Sequence, residues 1–296
     1  MDIKSVIALT IIRTLGLMNL KTARKFGRFI GWLLRVTGSR MYKVTLKNLE
    51  LCYPDMPKSE REELAKESLL HTGQTIAETG IAWGGTDAKF RRNEAQVLKV
   101  TNEHLLTEAK AKGKGVMLLT LHHGNWEWLS SWLPRRTELL ALYKMAKMPG
   151  LEKAMLEARS SAGLELVASG KDGVLKFINH YVNHKDCIIA PDQEPSVKSG
   201  VWAKFFGIDA LTPKFIHHLI QRNPEGTVLF IYMKRVEGGF EVVINDAPQA
   251  IYDEDLEVSA TAMNKGFEAC IADAPEQYEW DYKRFKRNPE KYYKGL

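Results

Sequence analysis

The stretch Gly115-Val116-Met117-Leu118-Leu119-Thr120-Leu121-His122-His123-Gly124-Asn125-Trp126-Glu127-Trp128 decides the class of fold. Its apolar run has no polar face, which predicts a strand buried on both sides. Asn125 is a good N-cap, so a helix is predicted over 126–133. The two histidines therefore sit where a strand ends and a helix begins, facing N–H donors and a positive dipole end. Glu127 falls in the first helical turn. A base, a carboxylate to orient it and an anion-stabilising dipole are what acyl transfer needs. Spacing does not choose between the histidines. In one continuous helix His123 and Glu127 would be an i,i+4 pair, but the Gly124-Asn125 cap places both histidines ahead of the helix. Both could instead be packing or capping residues. No metal is expected, because no HExxH spacing occurs and no cysteine accompanies the pair.

Outward from this stretch, strands and helices alternate. Strands are predicted over 97–100, 138–143, 187–190, 227–233 and 240–244. Helices are predicted over 58–83, 104–112, 151–162, 171–181, 213–221 and 259–272. The pattern implies an α/β fold with a mixed, largely parallel sheet flanked by helices. A hairpin at Glu237-Gly238-Gly239 supplies the antiparallel part. Chemistry in such folds gathers at the carboxyl ends of strands. No repeat or long linker divides the chain.

The 296 residues are 45% hydrophobic and 26% charged, which excludes a disordered tail, a collagen-like fibre and a disulfide miniprotein. Cys52, Cys187 and Cys270 share no CxxC spacing; Cys187, inside a strand, is expected to be a core thiol. The net charge of +6 is concentrated at the termini. In residues 1–48 the sole acid is Asp2, and apolar runs flank Arg13. That segment lacks the form of a signal peptide and is shorter than the about 20 apolar residues of a full span. Lys25, Arg28 and Arg35 recur along one helical stripe, with Phe26, Phe29, Ile30, Leu33 and Leu34 mostly on the other side. Residues 1–38 are therefore expected to be an N-terminal membrane-associated pair of helices, anchoring or interfacial, on an anionic membrane. Two ordinary core helices are the alternative. At the other end Tyr278, Trp280, Tyr282, Phe285, Tyr292 and Tyr293 interleave with six Lys and Arg residues. Such mixtures also suit single-stranded nucleic acid, but no RNP strand, zinc finger or helix-turn-helix signal accompanies them, so no nucleic acid is expected.

The segment from His122 to Glu127 resembles the signature of the bacterial lipid A late acyltransferases, the lauroyl and myristoyl acyltransferases of the glycerolipid-acyltransferase-like superfamily. That signature, HX4E, is a histidine, four residues and an acid. Five further segments resemble the family in the same order: Asn48-Leu49-Glu50-Leu51-Cys52-Tyr53-Pro54, Arg159 with Gly163, Ala190-Pro191-Asp192-Gln193-Glu194, Phe205-Phe206-Gly207, and Pro275-Glu276-Gln277-Tyr278-Glu279-Trp280. The resemblance implies an acyltransferase domain over 39–296 that acylates a hydroxyl of a lipid A precursor. The donor it implies is acyl-carrier protein or coenzyme A, with no cofactor. It makes His122 the general base and Glu127 its partner, and puts His123 at the variable position. Arg159 is expected to contact phosphate or thioester oxygen, or else to pair with Glu157. Asp192 and Gln193 are expected to order the site, with Asn125 beside them. Trp202, Phe205 and Phe206 would line an acyl channel or belong to the core. The place of work implied is the cytoplasmic face of the bacterial inner membrane. A lysophospholipid or amino-acid-lipid acceptor, or a lipid-binding scaffold with a degenerate site, are the other readings.

Overall fold

Val116–Leu119 is buried along its whole length because side chains on both faces of the strand meet core. Met117 and Leu119 join a cluster with Phe230, Phe267 and Trp280, whereas Val116 and Leu118 join one with Trp128, Trp132 and Ile231. That two-sided burial explains the missing polar alternation. The computed structural model describes residues 3–296; Met1 and Asp2, where the expected anchoring segment begins, lie outside the described residues.

Five helices come first: Ile3–Leu15 (α1), Leu20–Val36 (α2), Arg40–Cys52 (α3), Lys58–Ala82 (α4) and Asp87–Glu94 (α5). Then follow Val97–Thr101 (β1), Glu103–Ala111 (α6), Val116–Leu119 (β2), Trp126–Trp132 (α7), Leu139–Tyr143 (β3), Pro149–Ser161 (α8) and Glu165–Ala168 (β4). Lys171–Val182 (α9), Asp186–Ile189 (β5), Gly200–Phe205 (β6), Ile208–Pro213 (β7) and Phe215–Arg222 (α10) lead to Thr227–Val236 (β8), Gly239–Asp246 (β9) and Leu256–Asp273 (α11). The main sheet has the order β1-β9-β8-β2-β5-β3-β4. Every neighbouring pair is parallel except β8 with β9, the hairpin expected at Gly238. The mixed, largely parallel α/β sheet is thus observed, with β2 at its centre between β8 and β5. Strands β6 and β7 form a separate antiparallel pair.

Helix α2 buries the opposite of what its large side chains suggest. Ala23, Gly27 and Gly31 face α4, while Phe26, Phe29, Trp32, Leu33 and Val36 are exposed. A Cβ at Gly31 would lie 2.2 Å from the Leu69 carbonyl, and one at Gly73 would lie 2.1 Å from that of Gly27. The two helices therefore touch backbone to backbone, and only glycine fits there. Ile3, Ile7, Ile11 and Leu17 add to the exposed apolar surface from α1 and the turn after it. No helix among the described residues is long and apolar enough to cross a membrane.

The aromatic-basic C-terminal segment is built into the fold. Tyr278, Trp280, Phe285 and Tyr293 are buried in the core rather than presented to a surface. Asn48 of α3 donates to the carbonyls of Trp280 at 2.6 Å and Tyr282 at 2.7 Å, and accepts from the Tyr293 hydroxyl. Arg284 is also buried, donating to the Leu211 carbonyl at 2.9 Å beneath the Phe205 ring. Burial of the rings thus reserves the tail's aromatic surface for the fold itself.

Candidate active site

After β2 the chain leaves the sheet in a tight turn, with the His123 N–H donating to the Leu121 carbonyl at 2.8 Å. Gly124 follows with φ +59°, and a Cβ there would lie 1.9 Å from the Met233 carbonyl, so glycine is required twice over. Asn125 then caps α7 as expected, its Oδ1 accepting from the Trp128 N–H at 2.9 Å. Its N–H donates to the Met233 carbonyl at 2.8 Å. The segment 277–279 closes the loop from the other side. Gly124 donates to the Gln277 carbonyl, and the Glu279 N–H donates to the His122 carbonyl, each at 2.9 Å.

This path separates the two histidines, which spacing could not. His123 is fully buried with its ring edge-on to Tyr232, centroids 5.1 Å apart, and burial drives its imidazole down to about 3. It is a core residue. The His122 side chain keeps 24% exposure and meets a carboxylate.

That carboxylate is Asp192, beyond the carboxyl end of β5, which neighbours β2. Its Oδ1 lies 2.8 Å from His122 Nδ1 and its Oδ2 accepts the His122 backbone N–H at 2.9 Å. An ionised carboxylate only accepts, so Nδ1 carries the hydrogen and Nε2 is the ring nitrogen turned away from Asp192. Glu127, expected in this place, instead receives Arg159, with Nη2 to Oε1 at 2.6 Å and Nε to Oε2 at 3.2 Å. Trp83 at the end of α4 donates its indole N–H to Glu127 Oε2 at 2.8 Å. The bend at Gly124-Asn125 breaks helical register, so the four-residue gap does not align Glu127 with the ring. Arg159 thus pairs with Glu127 and not with Glu157, which lies 3.8 Å from Lys153 on the helix surface. Its side chain is 16% exposed and Glu127's 10%. Gln193 donates to Glu279 Oε2 at 3.4 Å.

Electrostatics follow from this arrangement. Burial disfavours the imidazolium, but Asp192, by charge and hydrogen bond, with Glu279 and Glu127 behind it, holds His122 up at about 9. Burial opposes the charged forms of Asp192 and Glu127 as well. His122 nevertheless keeps Asp192 low, and Arg159 and Trp83 do the same for Glu127. Burial pushes Glu279 up to about 7. A cavity of about 190 Å³ opens beside the loop, lined by Thr72, Thr75, Ile76 and Thr79 of α4 with Trp126 and Glu279. The Trp126 ring stands 5.1 Å from the His122 ring, which ties the cavity to the imidazole. Cys187 lies fully buried in β5, and burial pushes its thiol well above the usual range.

Beneath the loop, Glu78 of α4 bonds Asn125 Nδ2 at 2.8 Å, Arg235 Nε of β8 at 2.8 Å and Arg24 Nε of α2 at 2.8 Å. Sequence reading singled out neither Glu78 nor Trp83. Each acts from a helix whose relation to the loop only the tertiary fold creates. Glu279 stood inside a quoted segment, but nothing marked its carboxyl as part of the site.

A profile of bacterial lipid A biosynthesis acyltransferases matches residues 3–287. The chain is 28% identical over 275 residues to a lipid A biosynthesis acyltransferase of Haemophilus influenzae, spanning 90% of this chain and 85% of the relative. It is 26% identical to the lipid A biosynthesis palmitoleoyltransferase of Escherichia coli, spanning 89% of this chain and 84% of that one. It is also 26% identical to the lipid A biosynthesis lauroyltransferase of Escherichia coli, over 85% and 81% of the two chains.

Proposed function

Because the chain belongs to the bacterial lipid A biosynthesis acyltransferases, we propose that it transfers a fatty acyl group from a thioester donor, acyl-carrier protein or coenzyme A, to a hydroxyl of a lipid A precursor. The observation that carries this reading is the His122–Asp192 contact at 2.8 Å, at the mouth of the sheet and beside a cavity. Asp192 fixes the tautomer, so Nε2 takes the proton of the acceptor hydroxyl as its oxygen attacks the thioester carbonyl. The tetrahedral adduct then expels the thiolate, which receives that proton back from Nε2. No nucleophile on the protein is needed, and the buried Cys187 is not suited to be one.

Glu127 takes two of the five Arg159 N–H donors, leaving the rest of the fork to meet an anionic oxygen. In this reading Arg159 stabilises either the thioester oxyanion or a substrate phosphate, and Glu127 holds it in position. A positioned base contributes about 10²–10⁴-fold, so orientation and the Arg159 charge must supply the remainder.

The exposed Phe26, Phe29, Trp32 and Leu33 of α2, with Lys25, Arg28 and Arg35 on the same helix, support docking of the 1–38 segment on the anionic cytoplasmic face of the inner membrane. A lipid acceptor and a cytosolic thioester donor meet at that surface.

The test is acylation of a lipid A precursor by the purified protein with defined acyl donors. His122→Ala should lose at least about 10²-fold in rate. Full activity of that variant, or a trapped acyl-enzyme, sinks the mechanism. Acylation of lysophosphatidic acid in place of the lipid A precursor sinks the acceptor assignment.

A further inference from the structure

We propose that Glu279 is a positioning residue of this site, a second carboxylate that acts on His122 through its field and, with Asp192, sets the pH at which the imidazole gives up its proton. The inference rests on the reading of His122 as the base. Its geometry is built into the loop closure. The Glu279 N–H holds the His122 carbonyl at 2.9 Å, which fixes the two residues side by side across chain segments. Gln193 holds the Glu279 carboxyl at 3.4 Å while its neighbour Asp192 holds the ring at 2.8 Å, so one turn after β5 orients both acids. Glu279 lines the cavity together with Trp126, whose ring is 5.1 Å from the imidazole.

The charges around the pair leave few competitors. His122 feels Asp192, then Glu279, then Glu127, and the charge of Glu127 is already shared with Arg159. Glu279 meets His122, Asp281 and Asp192, with the Gln193 amide as its donor. Elements α3 and α4 bring only Met41, Thr72, Thr75, Ile76 and Thr79 to the cavity, none of them charged. Among the described residues lining that side, none carries a charge that neutralises the carboxylate. Glu279 titrates near 7 and His122 near 9, so Glu279 is anionic throughout the range in which the imidazole releases its proton. An anion beside an imidazole favours the protonated ring. The consequence runs against intuition: removing Glu279's charge frees more of the base at neutral pH.

The full chain, labelled with ¹³C-histidine and held in detergent micelles, is titrated by NMR, with the His122 signal assigned by its loss in His122→Asn. Wild type should show a midpoint near 9 for His122. In Glu279→Gln the midpoint should fall by roughly one pH unit, as removal of a nearby charge dictates. Glu279→Asp, which keeps the charge, should hold the wild-type midpoint; if it shifts equally, shape rather than charge is responsible and the proposal is overturned. An unmoved midpoint in folded Glu279→Gln overturns it too. Should Glu279→Gln fail to fold, Glu279→Ser is titrated under the same criteria. With turnover, the acidic limb of kcat/KM should move to lower pH, so that near pH 8, where wild-type Glu279 is ionised, the Gln variant is faster by roughly threefold. The NMR midpoint needs no substrate. A moved midpoint in a protein whose acylation survives His122→Ala would therefore keep this inference and reject the catalytic reading.

Discussion

Glu78 and Asp192 are both buried carboxylates attached to the same loop, one through Asn125 and the other through His122, yet their surroundings are inverted. Around Glu78 a single acid meets two guanidiniums and an amide, all at 2.8 Å. Around His122 a single cation-forming ring meets Asp192, Glu279 and Glu127. In the first cluster each carboxylate oxygen has a donor that keeps its proton, so the charge pattern is fixed. In the second, acids outnumber the base and the proton has more than one place to reside. The first cluster ties α2, α4, β8 and the α7 cap together. The second leaves Nε2 open beside a cavity. The difference shows how one fold can hold a charge firmly for structure and loosely for chemistry a few residues away.

Breaking the structural cluster should have the largest effect. Glu78→Ala leaves the buried Arg235 guanidinium facing the half-buried Arg24 one and should cost about 3–5 kcal/mol in denaturant unfolding. An unchanged midpoint would remove Glu78 from any structural role. Next comes Asp192→Asn, which unfixes the His122 tautomer and should reduce kcat/KM by about 10²-fold, close to 2.7 kcal/mol in activation free energy. Its acidic limb should move to lower pH as the imidazole loses its carboxylate partner. Stability should change less than activity, and the reverse ranking would erase the contrast between the clusters. A smaller loss is expected from Gly31→Leu, which forces α2 off α4 and strains the arm that delivers Arg24 to Glu78. Overpacking of this kind costs about 1–3 kcal/mol, read as a lowered Tm. Coincident unfolding of wild type and variant would show that the crossing tolerates a side chain.

The smallest effect is the pH dependence of stability. His122 is raised from its ordinary 6.5 to about 9, so its contribution is complete below 6.5 and lost as pH climbs through 9. Glu279 is raised from 4.5 to about 7, so its contribution is complete below 4.5 and lost as pH climbs through 7. Both run the same way. Asp192 is depressed, and its contribution disappears only as pH falls below the usual carboxylate range. The Tm should therefore decline between pH 6 and 9, and Glu279→Gln combined with His122→Asn should flatten that slope. An equal slope in the double variant would mean that other groups govern it.

The core of the fold was legible where a pattern was local. The apolar run of β2, the Asn125 cap and the Gly238 hairpin are each decided by neighbours in sequence. Partners decided by tertiary contact were not. Asp192 stands 70 residues from His122, and only the pairing of β5 with β2 brings it to the ring. Glu127, close in sequence, was expected at the ring where Asp192 stands. Strand β4 has four residues at the sheet edge, too short to show a period. Strands β6 and β7, with Trp202, Phe205 and Phe206 in or beside them, read as a loop and a possible channel wall because their pairing is with each other alone. In α2 the contact face is made of glycines, which carry no hydropathy signal, so the conspicuous aromatic face is the one left outside.

The closure of the His122 loop by Gln277 and Glu279 also has a consequence for the order of events during synthesis. Those residues leave the ribosome more than half a chain-length after His122. Until they arrive, Gly124 and His122 lack the backbone partners that hold the loop in place. A nascent chain can thus build strand β2 long before the loop that follows it is held from its far side.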